Sequence, residues 1–428
     1  MLKDYCLEYR SNYWASLLVF ALVYTAPMSI MAQSPEGGWT LEDTILRVIE
    51  IAPEIQGSQA EVDSRRGALQ QAGAWPNPEI ELSADDKIGI DTGTGGNDLT
   101  QFAFSQSLPI SGRLGHQQSV AKAELDEAGA DVLYQHILLE SQVAQRFHAL
   151  QLEEARLSMA GQYLQLADEM QDAGRRREQA GELSELERMR IDILRESVQQ
   201  ILDERKGEYE EALSRFRAYL GLSSEVTPQL TPLEPFGPVP ALEELRSRLS
   251  EHPSLIAARY RLDAARSGVQ LVRAERIPEP TLRLFREKDF LNGRRQDITG
   301  IGIAISVPLW DRKTGRLSEV RGRVVQAQSE LQILERDIAS NLQRSYLHLT
   351  HLVLQAEQYK TRILDPAQHV FDLTRRAYAS GEVELLSLID ANDTYFNAHE
   401  RYLELLQQSW LEAAELRLAA GTTLVTTK

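Results

Sequence analysis

The 428-residue sequence predicts a mainly α-helical chain with a small membrane β-barrel contribution, built as a tandem-duplicated unit of long coiled-coil hairpins plus four transmembrane β-strands. Three observations predict it. Residue types recur at an offset of 200, apolar residues step by four and three over proline-free stretches, and four short segments alternate apolar with small or polar residues. Composition narrows the class further. The chain carries 46 Lys+Arg against 63 Asp+Glu, a net charge of −17, which offers nucleic acid no basic field. A polytopic helical membrane protein would be more apolar than 43% hydrophobic residues and a mean hydropathy of −0.33. A single cysteine excludes a disulfide framework and a Cys-ligated zinc or iron–sulfur site.

The first segment, 1–32, reads as a signal peptide. Residues 14–26 are apolar and too short to span a bilayer, with Lys3 and Arg10 before them; Asp4 and Glu8 weaken the basic region, and Ile30 is a poor match beside a cleavage after Ala32. A buried N-terminal helix is the alternative. Cys6 would leave with the signal peptide, so the mature chain would have no N-terminal cysteine to acylate and no transmembrane helix.

The repeat organises the rest. Asp172, Arg175, Arg176, Gly181, Glu182, Leu186 and Gly221 recur as Asp372, Arg375, Arg376, Gly381, Glu382, Leu386 and Gly421. The expected units are 33–221, a proline-rich equatorial linker with a short helix at 222–253, a second unit at 254–421, and a tail at 422–428. Each unit begins with a short helix (41–52, 242–252) stopped by Pro53 or Pro253, because a residue before proline leaves the helical region. A medium helix follows at 54–74 and 254–276. Two strands come next. Ile80, Leu82 and Ala84, then Phe102 and Phe104, alternate with polar or small residues; Leu282 and Leu284, then Ile301, Ile303, Ile305 and Val307, do so in the second unit. The links 85–98 and 289–296 are polar and turn-rich.

Long helices close each unit. Val320, Val324, Ala327, Leu331, Leu334 and Ile338 keep a heptad rhythm, as Leu139, Val143, Phe147, Leu150, Leu157 and Leu164 nearly do. Gly181 and Gly381 mark reversals, and return helices run to Gly221 and Gly421. The outgoing helix from Arg113 spans about 100 Å, and return plus medium helices together match it. Pro366 predicts a kink in the second outgoing helix. Four strands cannot close a membrane barrel, whose smallest forms have about eight. The chain must therefore oligomerise, with two copies giving eight strands and three giving twelve.

At this point the residues resemble the TolC-like family of bacterial outer-membrane efflux factors over nearly the whole mature chain. Carriers are Trp75-Pro76-Asn77-Pro78-Glu79, Gln106-Ser107-Leu108-Pro109 and Gly112-Arg113. Leu364-Asp365-Pro366-Ala367, Tyr378, Gly381 and Leu388-Ile389-Asp390-Ala391 carry it in the second unit. The Pro-Asn-Pro and Gly-Arg elements look closest to the branch serving heavy-metal pumps. The resemblance implies a homotrimeric α/β tube, a barrel in outer-membrane lipid of a Gram-negative bacterium and a helical tunnel through the periplasm. It also implies a periplasmic adaptor protein and an inner-membrane pump of the resistance-nodulation-division type as partners. The duct would be passive, with no cofactor and no enzymatic activity.

The resemblance also directs attention to the turns. Those around Gly181 and Gly381 would meet the adaptor, with Arg175, Arg176, Arg375 and Arg376 in the last helical turns. Helix-dipole compensation, about 0.3–1 kcal/mol each, is an equal reading of these arginines. Some family members close the tip with two acidic residues one turn apart; the matching positions are Ser387 and Asp390, with Asp393 one turn further on. Only one carboxylate matches, and a solvated helix face is the alternative. His348 and His351 lack an evident third metal ligand, and the run 93–96 lacks the Lys-Ser/Thr of a phosphate loop. Two other functions stand beside the efflux duct: the outer-membrane channel of a type I protein-secretion system, and a periplasmic coiled-coil scaffold.

Overall fold

The computed structural model describes residues 38–84, 100–181, 183–291 and 294–424. Signal segment 1–32, Cys6, the run 93–96 and the tail from 425 onward lie outside them. Helix α1 (Leu41–Ile51) starts at a reciprocal cap, where the Thr40 hydroxyl accepts from Asp43 N and the Asp43 carboxylate accepts from Thr40 N. Ala52 is held extended at ψ 120 by the proline after it, and Pro53 opens α2 (Pro53–Ala72). The device recurs at His252 and Pro253, which open α6 (Pro253–Ala274).

Strands β1 (Glu79–Ala84), β2 (Thr100–Ser107), β3 (Thr281–Leu291) and β4 (Arg294–Ala304) form one antiparallel sheet in the order β1-β2-β3-β4. Two sequence expectations need correction here. The polar link expected over 289–296 is mostly strand, with Asp289 opposite Gln296, Phe290 opposite Arg295 and Leu291 opposite Arg294. Backbone pairing overrides the polar composition, as antiparallel ladders tolerate polar residues wherever one face is wet. The last strand ends at Ala304 rather than Val307. Ala304 faces Thr281, so the next position would face Pro280, which has no N–H to give.

Helix α3 (Arg113–Gln179) runs 67 residues, about 100 Å, and α4 (Glu185–Leu220) returns over 36. The second hairpin goes out through α7 (Thr314–Tyr359), a π-helical turn (Lys360–Leu364) and α8 (Asp365–Ser380), and returns as α9 (Leu385–Ala420) over 36 residues. At Pro366, where the sequence predicts a kink, the α-helical ladder widens to a π turn just before the proline and then resumes. A π turn is one way to absorb a missing N–H and the ring beside it. The first hairpin has no such break.

Helix ends fix which columns line up. Gly221 and Gly421 terminate α4 and α9 in the left-handed conformation, at φ 61 and 67. A Cβ at Gly221 would touch Ile51 at 3.4 Å, and one at Gly421 would reach His252 at 2.7 Å, so α4 leads into the α1–α2 column and α9 into α6. Near the sheet the neighbours run α2, α3, α6, α7; near the hairpin turns they run α4, α3, α9, α8. One flank of the chain is therefore β1, α2 and α4, and the other is β4, α7 and α8. Between the halves the 222–252 segment, with the short α5 (Leu242–Ser247), straps the helices at mid-height. Leu233 packs against the α3–α9 contact, while Phe236 and Val239 cover Leu342, Leu349 and Ala413. Trp410 Nε1 donates to Glu234 O at 2.7 Å, and Trp39 pairs with Leu230. No helix among the described residues is long and apolar enough to cross a membrane.

Candidate functional site

The turns between outgoing and return helices gather most of the candidate residues. Gly181 and Gly381 reverse the chain at φ 74 and 82, a conformation that strains any L side chain. The Ser184 hydroxyl accepts from Glu187 N at 3.3 Å and the Glu187 carboxylate accepts from Ser184 N at 3.0 Å, capping α4; α9 has no side-chain cap. Arg175, Arg176, Arg375 and Arg376 are all exposed. Arg175 reaches Gln171 at 3.1 Å, Arg376 Nε donates to Asp372 O at 3.2 Å, and Arg375 lies 5.8 Å from the Phe371 ring. These partners belong to the same helix, so none of the three ties the hairpins together.

Arg177 does, and sequence reasoning missed it. Its Nη2 donates to Tyr378 O at 2.9 Å, and its guanidinium sits 4.7 Å over the Tyr378 ring. A signal was present: Arg175 and Arg176 repeat at offset 200, whereas Arg177 faces Ala377 in the repeat. A second tie lies about four turns higher along α3. Tyr163 of α3 donates its hydroxyl to Asp393 and stacks on Phe396 at 4.0 Å. Phe396 meets Tyr395 edge-on, and Tyr395 stacks on Phe371 at 5.5 Å, so an aromatic run crosses from α8 through α9 to α3. Burial and the Asp393 carboxylate both push the Tyr163 hydroxyl well above its ordinary range.

Ser387 and Asp390 share one exposed strip of α9, one turn apart, opposite the buried Leu385 and Leu388. Asp393 is also exposed as a residue, but its carboxylate is engaged by Tyr163. The strip therefore holds one carboxylate free of that aromatic tie, Asp390. His348 pairs with Glu412 at 2.7 Å, and no group of three or more metal-ligating side chains occurs among the described residues.

The sheet has two unlike faces. Ile80, Leu82, Phe102, Leu284, Ile301 and Ile303 line one face and are exposed, Leu82 by 78%. The other face carries a polar ladder across three strands. Arg283 Nη2 donates to Glu81 at 2.9 Å and to Gln101 at 3.4 Å, and Gln101 Nε2 donates to Glu287 at 3.5 Å. Below the sheet Gly112, at φ 75, turns the chain so that Arg113 forks onto Glu279 at 3.2 and 3.4 Å, while Ser111 donates to the same carboxylate at 2.5 Å. Glu279 sits between Pro278 and Pro280, so this bond joins the strand–helix junction of one half to the other.

The family model described as "Outer membrane efflux protein" matches residues 45–222 and again 245–422. The cobalt-zinc-cadmium resistance protein CzcC of Cupriavidus metallidurans is 24% identical over 404 residues, covering 93% of each chain. A probable outer membrane lipoprotein, SilC of Salmonella typhimurium, is 24% identical over 370 residues, covering 80% of this chain and 77% of the relative. Among solved structures, that of CusC, described for conformational changes accompanying folding and transmembrane channel formation, superposes with a TM-score of 0.74. It shares 19% identity over 90% of this chain and 92% of that one.

Proposed function

The chain belongs to the outer membrane efflux protein family, and from that membership we propose that it is one of three identical subunits of a passive exit duct. The duct carries cargo from an inner-membrane pump of the resistance-nodulation-division type, through a periplasmic adaptor, across the outer membrane. The observation that carries this reading is the sheet: four strands with an apolar exposed face, a polar opposite face and two unpaired edges. Unpaired backbone is untenable in lipid, so copies must close the edges into a barrel. Three copies give twelve strands, within the size range of known barrels. Trp75 and Trp310, exposed by 64% and 91% at the helix side of β1 and β4, suit the headgroup level.

The two matched segments are read as the two copies of one duplicated unit, 33–221 and 254–421, joined by the 222–253 strap. The four tip arginines and the turns at Gly181 and Gly381 are the adaptor surface, since all four arginines are exposed. Asp390 of each copy, with Ser387 one turn nearer the tip, forms a single ring of carboxylates that favours cations where the tube narrows. Asp393 serves the hairpin contact rather than this ring. Relatives named for cobalt, zinc and cadmium resistance support divalent metal cations as cargo. Membership in an efflux family favours this function over protein secretion, and the two-faced sheet is useless to a periplasmic scaffold.

Planar-bilayer recording of the purified protein tests the reading. A trimeric mass, a cation-selective conductance and a loss of that selectivity in Asp390→Ala are expected. A monomer that never conducts would overturn the duct, and an unchanged Asp390→Ala channel would remove the gate.

A further inference from the structure

We propose that the exposed apolar stripe Leu186, Met189 and Ile193 of α4 packs against the stripe Ile363, Val370 and Leu373 of a second copy of this chain, in the register the chain already uses between its own hairpins. The proposal rests on the ring of copies described above and specifies how neighbouring copies meet at the narrow end. All six residues are exposed in the single chain, between 44% for Ile363 and 67% for Ile193. Spacings of three, four and seven put each set on one helix face. Helix α4 uses its opposite face, with Ile191 and Val198, to pack on its own chain. Both stripes are thus left over after the fold is complete, and they lie on opposite flanks, below the open edges of β1 and β4.

The internal repeat supplies the register. Within the chain, outgoing helix α3 meets return helix α9, and Tyr163 contacts Asp393. Closing the ring sets outgoing helix α8 against the return helix α4 of the next copy. Shifting each partner by the repeat offset of 200 turns Tyr163 into Ile363 and Asp393 into Ile193. The contact that is polar inside the chain becomes apolar between copies. One heptad nearer the turns on both antiparallel helices, Val370 falls opposite Leu186; Met189 lies between Leu186 and Ile193, and Leu373 continues the other stripe toward the turn. Two independently exposed stripes, on helices far apart in sequence, thus coincide at two successive heptads. An adaptor protein would have no reason to match this spacing, so a second copy is the occupant.

Cysteine cross-linking of the full chain, extracted from membranes in detergent, tests this. A short thiol-specific cross-linker is expected to convert Ile193→Cys/Ile363→Cys and Leu186→Cys/Val370→Cys to covalent trimers on a denaturing gel. The four single variants should stop at dimer or monomer. The offset pair Leu186→Cys/Ile363→Cys, separated by a heptad or about 10 Å, should lose most of the product. A trimeric native mass with no covalent trimer from either aligned pair would overturn the proposed register while leaving the duct intact. Equal cross-linking of aligned and offset pairs would overturn it too, as would cross-links to the adaptor alone. A monomeric native mass would sink the ring itself.

Discussion

Acid should loosen the protein at mid-height, through His148. The ring is 3% exposed and stacks on Trp410 with centroids 4.9 Å apart. Its Nδ1 lies 2.7 Å from Gln151 Oε1, and Gln151 Nε2 donates to the strap at Thr231 O and Pro232 O. The amide is thereby oriented so that Nδ1 carries the proton, leaving Nε2 buried with no partner among the described residues. Burial drives the His148 pKa down to about 4 from 6.5, the Gln151 bond partly opposes this, and nearby Arg417 adds to it. The folded chain thus binds fewer protons here than the unfolded one. The stability contribution is intact above the unfolded value of 6.5 and is lost progressively as pH falls toward 4. The whole effect is about 3 kcal/mol per chain, of which about 2.5 kcal/mol is already lost at pH 4.5. Burial also lowers His136, His252 and His399, so a pH profile of the native protein alone does not isolate the residue. Guanidinium unfolding in detergent, followed by tryptophan fluorescence, should be compared for the native chain and His148→Gln at pH 7.5 and 4.5. The native chain should lose about 2–3 kcal/mol more than the variant between the two. A native-minus-variant difference that is the same at both pH values would refute the reasoning.

Other consequences follow from single contacts. Arg177→Ala removes the charged bond and ring contact to Tyr378, about 1–2 kcal/mol of hairpin attachment, and should raise the open probability in bilayers. Gly221→Ala and Gly421→Ala both pay for a left-handed backbone, about 1–2 kcal/mol, but only the second drives a Cβ within 2.7 Å of His252. Thermal unfolding should therefore rank Gly421→Ala clearly below Gly221→Ala. Glu279→Ala leaves the Arg113 guanidinium with Gln117 as its remaining partner and frees Ser111, and should cost about 1–3 kcal/mol by the same measurement. Glu279→Gln, which keeps acceptors for both, should lose less.

Elements whose cause is local were legible in the sequence. Prolines 53 and 253 stop and start helices through steric exclusion, glycines 181, 221, 381 and 421 end them, and the alternation around Ile80 and Ile301 marks strands. The failures are equally physical. The 289–296 segment carries Asp289, Asn292, Gly293, Arg294, Arg295 and Gln296, a composition that imitates a loop, but the backbone ladder runs on through Leu291 and Arg294. Val307 continues the alternation, but pairing ends where Pro280 has no donor. At the candidate site the repeat located the tips, and the family resemblance pointed to Ser387 and Asp390. Neither could reveal that Asp393 is engaged by Tyr163, because that bond spans 230 residues and depends on how the hairpins lie together.

The duplicated positions carry one further piece of information, because identical residues end in different environments. His148 and His348 occupy the same place in the repeat, yet the first is buried against Trp410 and the second has a side chain 54% exposed, paired with Glu412. Asp393 and Ile193 differ in the same sense: the polar member sits at a contact inside the chain, the apolar one on an open flank. Sequence symmetry therefore holds for the backbone punctuation and breaks at the side chains facing across hairpins. A lone globular unit would gain nothing from leaving Leu186, Ile193, Ile363 and Val370 about half exposed, where each forfeits about 1–2 kcal/mol of burial. The proposed seam between copies would cover them. In the proposed ring of copies, the asymmetry between the halves separates contacts made within one copy from contacts made between copies.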